Sequence, residues 1–176
     1  MPERADAISK CRLDALTDGV FGVAMTLLVI DIRLPENFRP ASAAELLDGV
    51  ADLKSKFLVY MISFFVVGLR WLGNTKLAAG RETVSIRYAK WTLVHLFLIT
   101  CMPFSTMLIG RHDTFALPVW VYAANIILGA LVTLRLTVVA AHDDGRPHEF
   151  RAGDRALVLL IASAALSVIV SFISPG

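Results

Sequence analysis

Charge is scarce in this sequence. Asp, Glu, Lys and Arg supply 18% of its 176 residues while apolar residues reach 56%; a soluble domain usually carries about 25% charged and about 45–50% apolar residues. Cysteine is scarcer still. Cys11 and Cys101 stand alone, with no CxxC or paired spacing, so neither a disulfide nor a cysteine metal site is expected. The sequence has no Gly-rich phosphate loop, nucleophile elbow or HExxH helix, which removes the common enzyme classes and leaves no catalytic candidate. It also lacks a basic patch with interleaved aromatics, so its net charge of +2 reflects membrane topology and not nucleic-acid binding.

What the sequence has instead is long uncharged runs. Residues 91–110, 114–134 and 156–176 contain 20, 21 and 21 residues without Asp, Glu, Lys or Arg, and about 20 suffice to cross a hydrocarbon core. A shorter run of 13, residues 57–69, becomes a span over 51–72 if Lys54 and Lys56 snorkel at one end and Arg70 at the other. With the first apolar segment, five spans are expected, near 13–34, 51–72, 89–110, 114–136 and 154–174. The fold class is an all-α integral membrane protein, one transmembrane domain over 1–176. Placing connections alternately puts 12 basic residues on the N-terminal side and 5 on the other, so the N-terminus is expected in the cytoplasm and, with five spans, the C-terminus outside. Asp31-Ile32-Arg33-Leu34 offers no small-residue cleavage site, so the first segment is expected to be a retained span and not a signal peptide. Ser42 and Glu45 form a capping box for a helix expected to run on into the second span. Residues 110–113 read as a tight outer turn, Pro118 falls in the first turns of the fourth helix, and 142–154 is a hydrophilic loop.

Residues 12–35 carry the most information. No charge occurs from Gly19 to Ile30, yet Asp14, Thr17 and Asp18 precede that run and Asp31 follows it. Ionisable groups at the edge of a membrane helix are costly and mark a surface lined by protein or water. At 100° per residue, Arg12, Leu16, Gly19, Val23, Thr26 and Ile30 fall on one stripe, bordered by Leu27. Their alternating spacings of four and three are those of helices packed around a common axis. Thr17 and Asp18 project to either side, where they can anchor neighbouring helices. An ordinary bundle core is the competing reading of the same stripe.

Here the sequence resembles a known family. Arg12-x-x-x-Leu16-Thr17-Asp18-Gly19 is similar to the R-x-x-x-F-S-D signature of the transmembrane protein 175 family, with Leu16 for Phe and Thr17 for Ser. The likeness continues through FLVYMISF at 57–64, MPFST at 102–106 and SFISP at 171–175. The resemblance implies a homotetrameric potassium channel in a prokaryotic cell membrane, built without a TVGYG filter, its pore lined by the first helices of four subunits. It assigns Val23 to the bottleneck, Thr26 to a hydroxyl layer, and Leu27 and Ile30 to outer apolar positions. Arg12, Leu16, Thr17 and Asp18 match the motif that ties the pore helix to its neighbours. Potassium and other monovalent cations are the implied permeant ions, the chain itself and the lipid bilayer the partners, and no cofactor is implied. The family usually has six spans per subunit against the five counted here. Its Asn-His-His run survives only as Asn74.

Other polar residues have milder readings. His142, Asp143, Asp144, His148 and Glu149 fit no zinc or calcium spacing and read as a solvated loop. His95 reads as a packed, hydrogen-bonded core histidine. Ser63, Thr92, Thr100, Ser105, Thr106 and Asn125 are expected to bond across helices, and Arg135 to snorkel. Two alternatives to a channel remain at this point: a proton-coupled carrier, which calls for a midplane charge and a broken helix, and a non-conducting membrane scaffold.

Overall fold

The computed structural model describes residues 7–77, 79–111, 114–145 and 152–173. Within them, five helices are long and apolar enough to cross a membrane: Lys10–Asp31, Lys54–Thr75, Ile86–Arg111, Ala116–Asp143 and Gly153–Phe172. The shorter spans of 20–22 residues reach about 30–33 Å at 1.5 Å per residue, the thickness of a hydrocarbon core. Of the expected turn at 110–113, loop at 142–154 and last span at 154–174, residues 112–113, 146–151 and 174 lie outside the described residues.

The first span is helix α1 (Lys10–Leu27), closed by a tighter 3-10 turn at Leu28–Asp31. A short helix α2 (Ala43–Ala51) follows. The expected cap is present: Ser42 Oγ accepts from the Glu45 amide at 3.2 Å, and Glu45 Oε2 accepts from the Ala41 amide at 2.6 Å. The helix does not run on into the second span as expected. It ends at Ala51, and α3 (Lys54–Thr75) starts afresh after a turn at Asp52 and Leu53.

The third span is also divided, into α4 (Ile86–Thr100) and α5 (Met102–Arg111), with a turn at Cys101. Pro103 explains the break, because it has no amide hydrogen to give the preceding turn and its ring crowds the carbonyl four residues back. The fourth span, α6 (Ala116–Asp143), has 28 residues and a length of about 42 Å. It overshoots the predicted end at 136 and takes His142 and Asp143 out of the expected loop into its last turn. The last helix, α7 (Ala152–Ile173), packs on α6, where Trp120 stacks on Phe172 at 4.7 Å and donates to Ser171 Oγ at 2.9 Å.

The all-helical expectation holds for the spans but misses one small element. Strand β1 (Ala7–Ser9) pairs antiparallel with β2 (Thr83–Ser85), placing Ile8 opposite Val84. The extra length of α6 lets this ribbon dock on it: Arg81 donates to the Ala140 carbonyl and pairs with Asp144, and Ser85 Oγ donates to Asp143 at 2.6 Å. One buried cluster lies at this end, around Leu13, Val84, Tyr88 and Leu136. A second lies further along, around Phe21, Leu28, Val67, Ile99 and Met102.

Several polar expectations need correction. Arg70 does not snorkel; it is 7% exposed and lies over Gly129 of α6, where the missing side chain leaves it room. Ser63 does bond across helices, accepting from Thr106 at 2.9 Å and meeting the Tyr122 hydroxyl at 3.1 Å, and Asn125 donates to the Leu98 carbonyl. Thr92, Thr100 and Ser105 instead return their hydroxyls to carbonyls of their own helices, the local bond always within reach of a helical Ser or Thr. His95 is packed as expected, edge-on to Phe21 at 5.8 Å, but neither ring nitrogen has a hydrogen-bond partner among the described residues. Arg135 stays exposed and lays its guanidinium over Trp91 at 5.9 Å.

The interhelical bonds should therefore matter more than the local ones. Ser63→Ala strands the Thr106 and Tyr122 hydroxyls and is expected to cost about 1–2 kcal/mol. Ser105→Ala removes only a bond to Met102 of its own helix and is expected to be near neutral. Melting temperatures of the two purified variants in one detergent check the contrast.

Candidate ion pathway

Helix α1 has two faces with opposite fates. Leu13, Thr17, Phe21, Ala24 and Leu28 are buried inside the subunit, packed through spacings of three and four against α3, α4 and α5. The other face is bare. Arg12, Leu16, Gly19, Val23, Thr26, Leu27 and Ile30 are all exposed, Val23 at 59% and Ile30 at 62%. The bundle-core reading of that stripe therefore fails within one subunit, whose core contacts use the opposite side. The exposed face is an apolar strip interrupted by one hydroxyl.

That hydroxyl is oriented. Thr26 Oγ1 donates to the Val23 carbonyl at 2.9 Å. Its hydrogen is thus committed to its own helix, and what it offers outward is oxygen lone pairs. Neither a proline nor a charge occurs between Gly19 and Ile30.

The motif residues separate in role. Thr17 does not reach a neighbouring helix; it is buried and donates to the Leu13 carbonyl at 2.8 Å. Asp18 does reach one, but its partner is Trp71 of α3, whose indole Nε1 donates to Oδ1 at 2.8 Å. Leu16 and Arg12 lie on the exposed face. Trp71 was not singled out from the sequence, and the signal that could have found it is an indole donor on the next span, needing a partner in an apolar setting.

Both ends of α1 are pinned. At the ribbon end, Lys10 donates its amide to the Glu82 carbonyl at 2.9 Å and its ammonium to Asp14 at 2.6–2.7 Å. At the other end, Asp31 accepts from Arg111 Nε at 2.7 Å and pairs with its Nη2 at 2.6 Å, tying the 3-10 turn to the end of α5. No group of three or more His, Cys, Asp or Glu placed to hold a metal occurs among the described residues.

Comparison with known proteins gives the family. A family model described as the endosomal/lysosomal potassium channel TMEM175 matches residues 12–103, from the motif arginine to the proline of α5. The chain belongs to the TMEM175 family. It is similar to a potassium channel of Chamaesiphon minutus, 27% identical over 82% of this chain and 72% of that protein. It is also similar to a potassium channel of a Chryseobacterium species, 30% identical over 78% and 68%. A crystal structure of a potassium-selective TMEM175 homologue from Chamaesiphon minutus superposes with a TM-score of 0.73 at 26% identity, covering 93% of this chain and 87% of that one. A shorter match, 31% identical over 41% of this chain and 15% of the relative, is to a human protein named an endosomal/lysosomal proton channel. Family and relatives are ion channels and not enzymes.

Because Asp18 bonds to a neutral indole, its loss should cost less than breaking a buried ion pair. Asp18→Ala and Trp71→Phe are each expected to cost about 1.5–3 kcal/mol, the range for a hydrogen bond to a charged group, and to lower the yield of assembled protein alike. The double variant should be no worse than either single one, and a thermal-stability cycle on the three variants measures this.

Proposed function

We propose that this chain is the subunit of a homotetrameric potassium channel in a prokaryotic cell membrane, with four α1 helices around the axis. The observation that carries the reading is the exposed stripe on α1. It faces away from the subunit core, and one subunit cannot enclose a pore with one stripe. The relatives named as potassium channels and the exposed positions of Val23, Thr26, Leu27 and Ile30 support the same assignment.

In this reading Val23 forms the constriction. A narrow apolar ring resists wetting, so the barrier is set by size and dewetting. One turn on, four Thr26 hydroxyls present lone pairs and no free hydrogen, which favours a cation over an anion. Being neutral, they favour the ion that dehydrates more cheaply without trapping it, hence potassium. Leu27 and Ile30 keep the outer section apolar, while Arg12, Leu16, Thr17 and Asp18 fix the helix in its bundle. The ribbon end of the bundle is cytoplasmic in this assignment, following the excess of basic residues there, and the C-terminal end of α7 lies outside. The permeant ion is potassium, the partners are three further copies and the bilayer, and no cofactor takes part. A proton-coupled carrier is disfavoured because α1 has neither a central charge nor a proline break. A non-conducting scaffold is disfavoured by the relatives named as potassium channels.

Reconstituted channels test the assignment. Val23→Asn is expected to raise current several-fold and to weaken the preference for potassium over sodium, whereas Thr26→Val should cut current and leave the tetramer intact. Reversal potentials in mixed potassium and sodium, with a proton gradient in a separate run, read the selectivity. Unchanged reversal potentials in both variants would place the filter elsewhere. In a background with Cys11 and Cys101 replaced, a cysteine at Val23 should crosslink between subunits more readily than one at Leu159, which is exposed on α7.

A further inference from the structure

Arg70 is a cation in the core of the subunit, about five residues from the ribbon end of α3. It is 7% exposed, and its Nε, Nη1 and Nη2 have no hydrogen-bond partner among the described residues. An unpaired guanidinium removed from water is costly, and within membrane spans such groups are paired almost without exception. The carboxylates of α1 and of the end of α6 are engaged elsewhere: Asp14 with Lys10, Asp18 with Trp71, Asp31 with Arg111, Asp143 and Asp144 with Arg81, Ser85 and Arg87; the buried Asp154 of α7 is engaged as well. Burial inside one subunit also shields the side chain from a carboxylate of a second copy and from a lipid phosphate. Only a small ligand can reach it.

The surroundings fit an anion. Gly129 lies directly under the guanidinium, and a methyl group there would overlap Nη1, Nη2 and Cζ; the α6 backbone has been kept clear for this charge. His95 is fully buried and without a partner on either ring nitrogen; its neighbour Leu96 shares one buried cluster with Val67 and Ile126, each one turn from Arg70 and Gly129. In any protonation state its imidazole has at least one N–H to donate. Asn74, one turn along α3, and Asn125 each leave a side-chain oxygen without a partner; such oxygens can accept N–H bonds but cannot neutralise a charge. We propose that Arg70, seated on Gly129, holds a small monovalent anion of the halide class inside each subunit, with an N–H of His95 as a second donor. Such an anion would cancel the positive charge that Arg70 otherwise places behind the pore helix, next to the Asp18–Trp71 contact.

The site belongs to the subunit fold and not to the stripe on α1, so its test is independent of conduction. Crystals of the full chain grown or exchanged into bromide are expected to show an anomalous peak within about 3.5 Å of the Arg70 guanidinium, a charge-assisted contact distance. The melting temperature in chloride or bromide should exceed that in gluconate by at least about 3 °C, and both effects should vanish in Arg70→Met. Absence of the peak together with equal melting temperatures in chloride and gluconate would overturn the proposal, as would a halide effect of the same size in Arg70→Met. Should that variant fail to fold, the peak and the halide dependence of the wild-type chain decide by themselves.

Discussion

The fold depends on one constraint: a membrane helix must account for every side of its surface. In lipid the backbone satisfies itself by forming a helix, so the side chains alone decide what each face meets. Helix α1 commits Leu13, Thr17, Phe21, Ala24 and Leu28 to its own subunit and leaves Val23, Thr26 and Ile30 outside. An apolar strip of this kind would suit lipid, were it not for what surrounds it. Asp18 and Arg12 stand at one end, Asp31 stands at the other, and a hydroxyl breaks the strip. Polar groups on the same helix, at both ends and in the middle, make a protein- or water-lined environment the cheaper one.

Such a helix must also hold its rotation, because 100° of turn would exchange the two faces. The structure fixes it at several levels. The β1–β2 ribbon and the Lys10–Glu82 backbone bond hold the start, the Trp71 indole holds the flank at Asp18, and Arg111 holds the end through Asp31. None of these is worth more than a few kcal/mol on its own. Together they act at three heights along one rod, so any rotation breaks all of them at once. The aromatic and aliphatic packing around Phe21 and Leu28 gives the bulk stabilisation, and the polar contacts choose its register.

The architecture was legible in the sequence, because hydropathy and helix length respond directly to bilayer thickness. The stripe on α1 was legible as well, since periodicity needs no partner to be visible. Partners were harder. The sequence shows that Asp18 needs a donor but not that Trp71, 53 residues later, supplies it. It marks Arg70 as a charge near the end of a span, for which snorkelling is the ordinary solution, and gives no sign that Gly129 opens a space for it on another helix. Pro103 was visible all along and its effect follows from one missing amide hydrogen, yet an uncharged run of 20 residues conceals the break. The ribbon escaped notice because three-residue strands carry too little alternation to register. The proposed site rests on the resemblance and the stripe together; neither burial nor the orientation of the Thr26 hydroxyl can be read from residue letters.

In the proposed assignment of α1 to the pore, that orientation bears on how a pore without a carbonyl filter can discriminate at all. A ring of backbone carbonyls replaces a hydration shell with several strong dipoles, and needs irregular backbone at membrane depth, tolerated only where protein or water surrounds it. A continuous helix has no free carbonyls in its middle, so α1 can only use side chains. A serine or threonine whose hydrogen bonds back to its own helix is the least costly way to point an oxygen outward, because the bond to the Val23 carbonyl spares the hydroxyl hydrogen from being left unsatisfied. One such layer is a weak ligand compared with a carbonyl cage. Selectivity in this design must then come from the cost of stripping water at the apolar ring, with the hydroxyl layer returning part of that cost, and the smaller the return the more the ring's width governs which ion passes. With Val23 at the narrowest point, as proposed, the small side chain shifts the balance toward flux and away from discrimination.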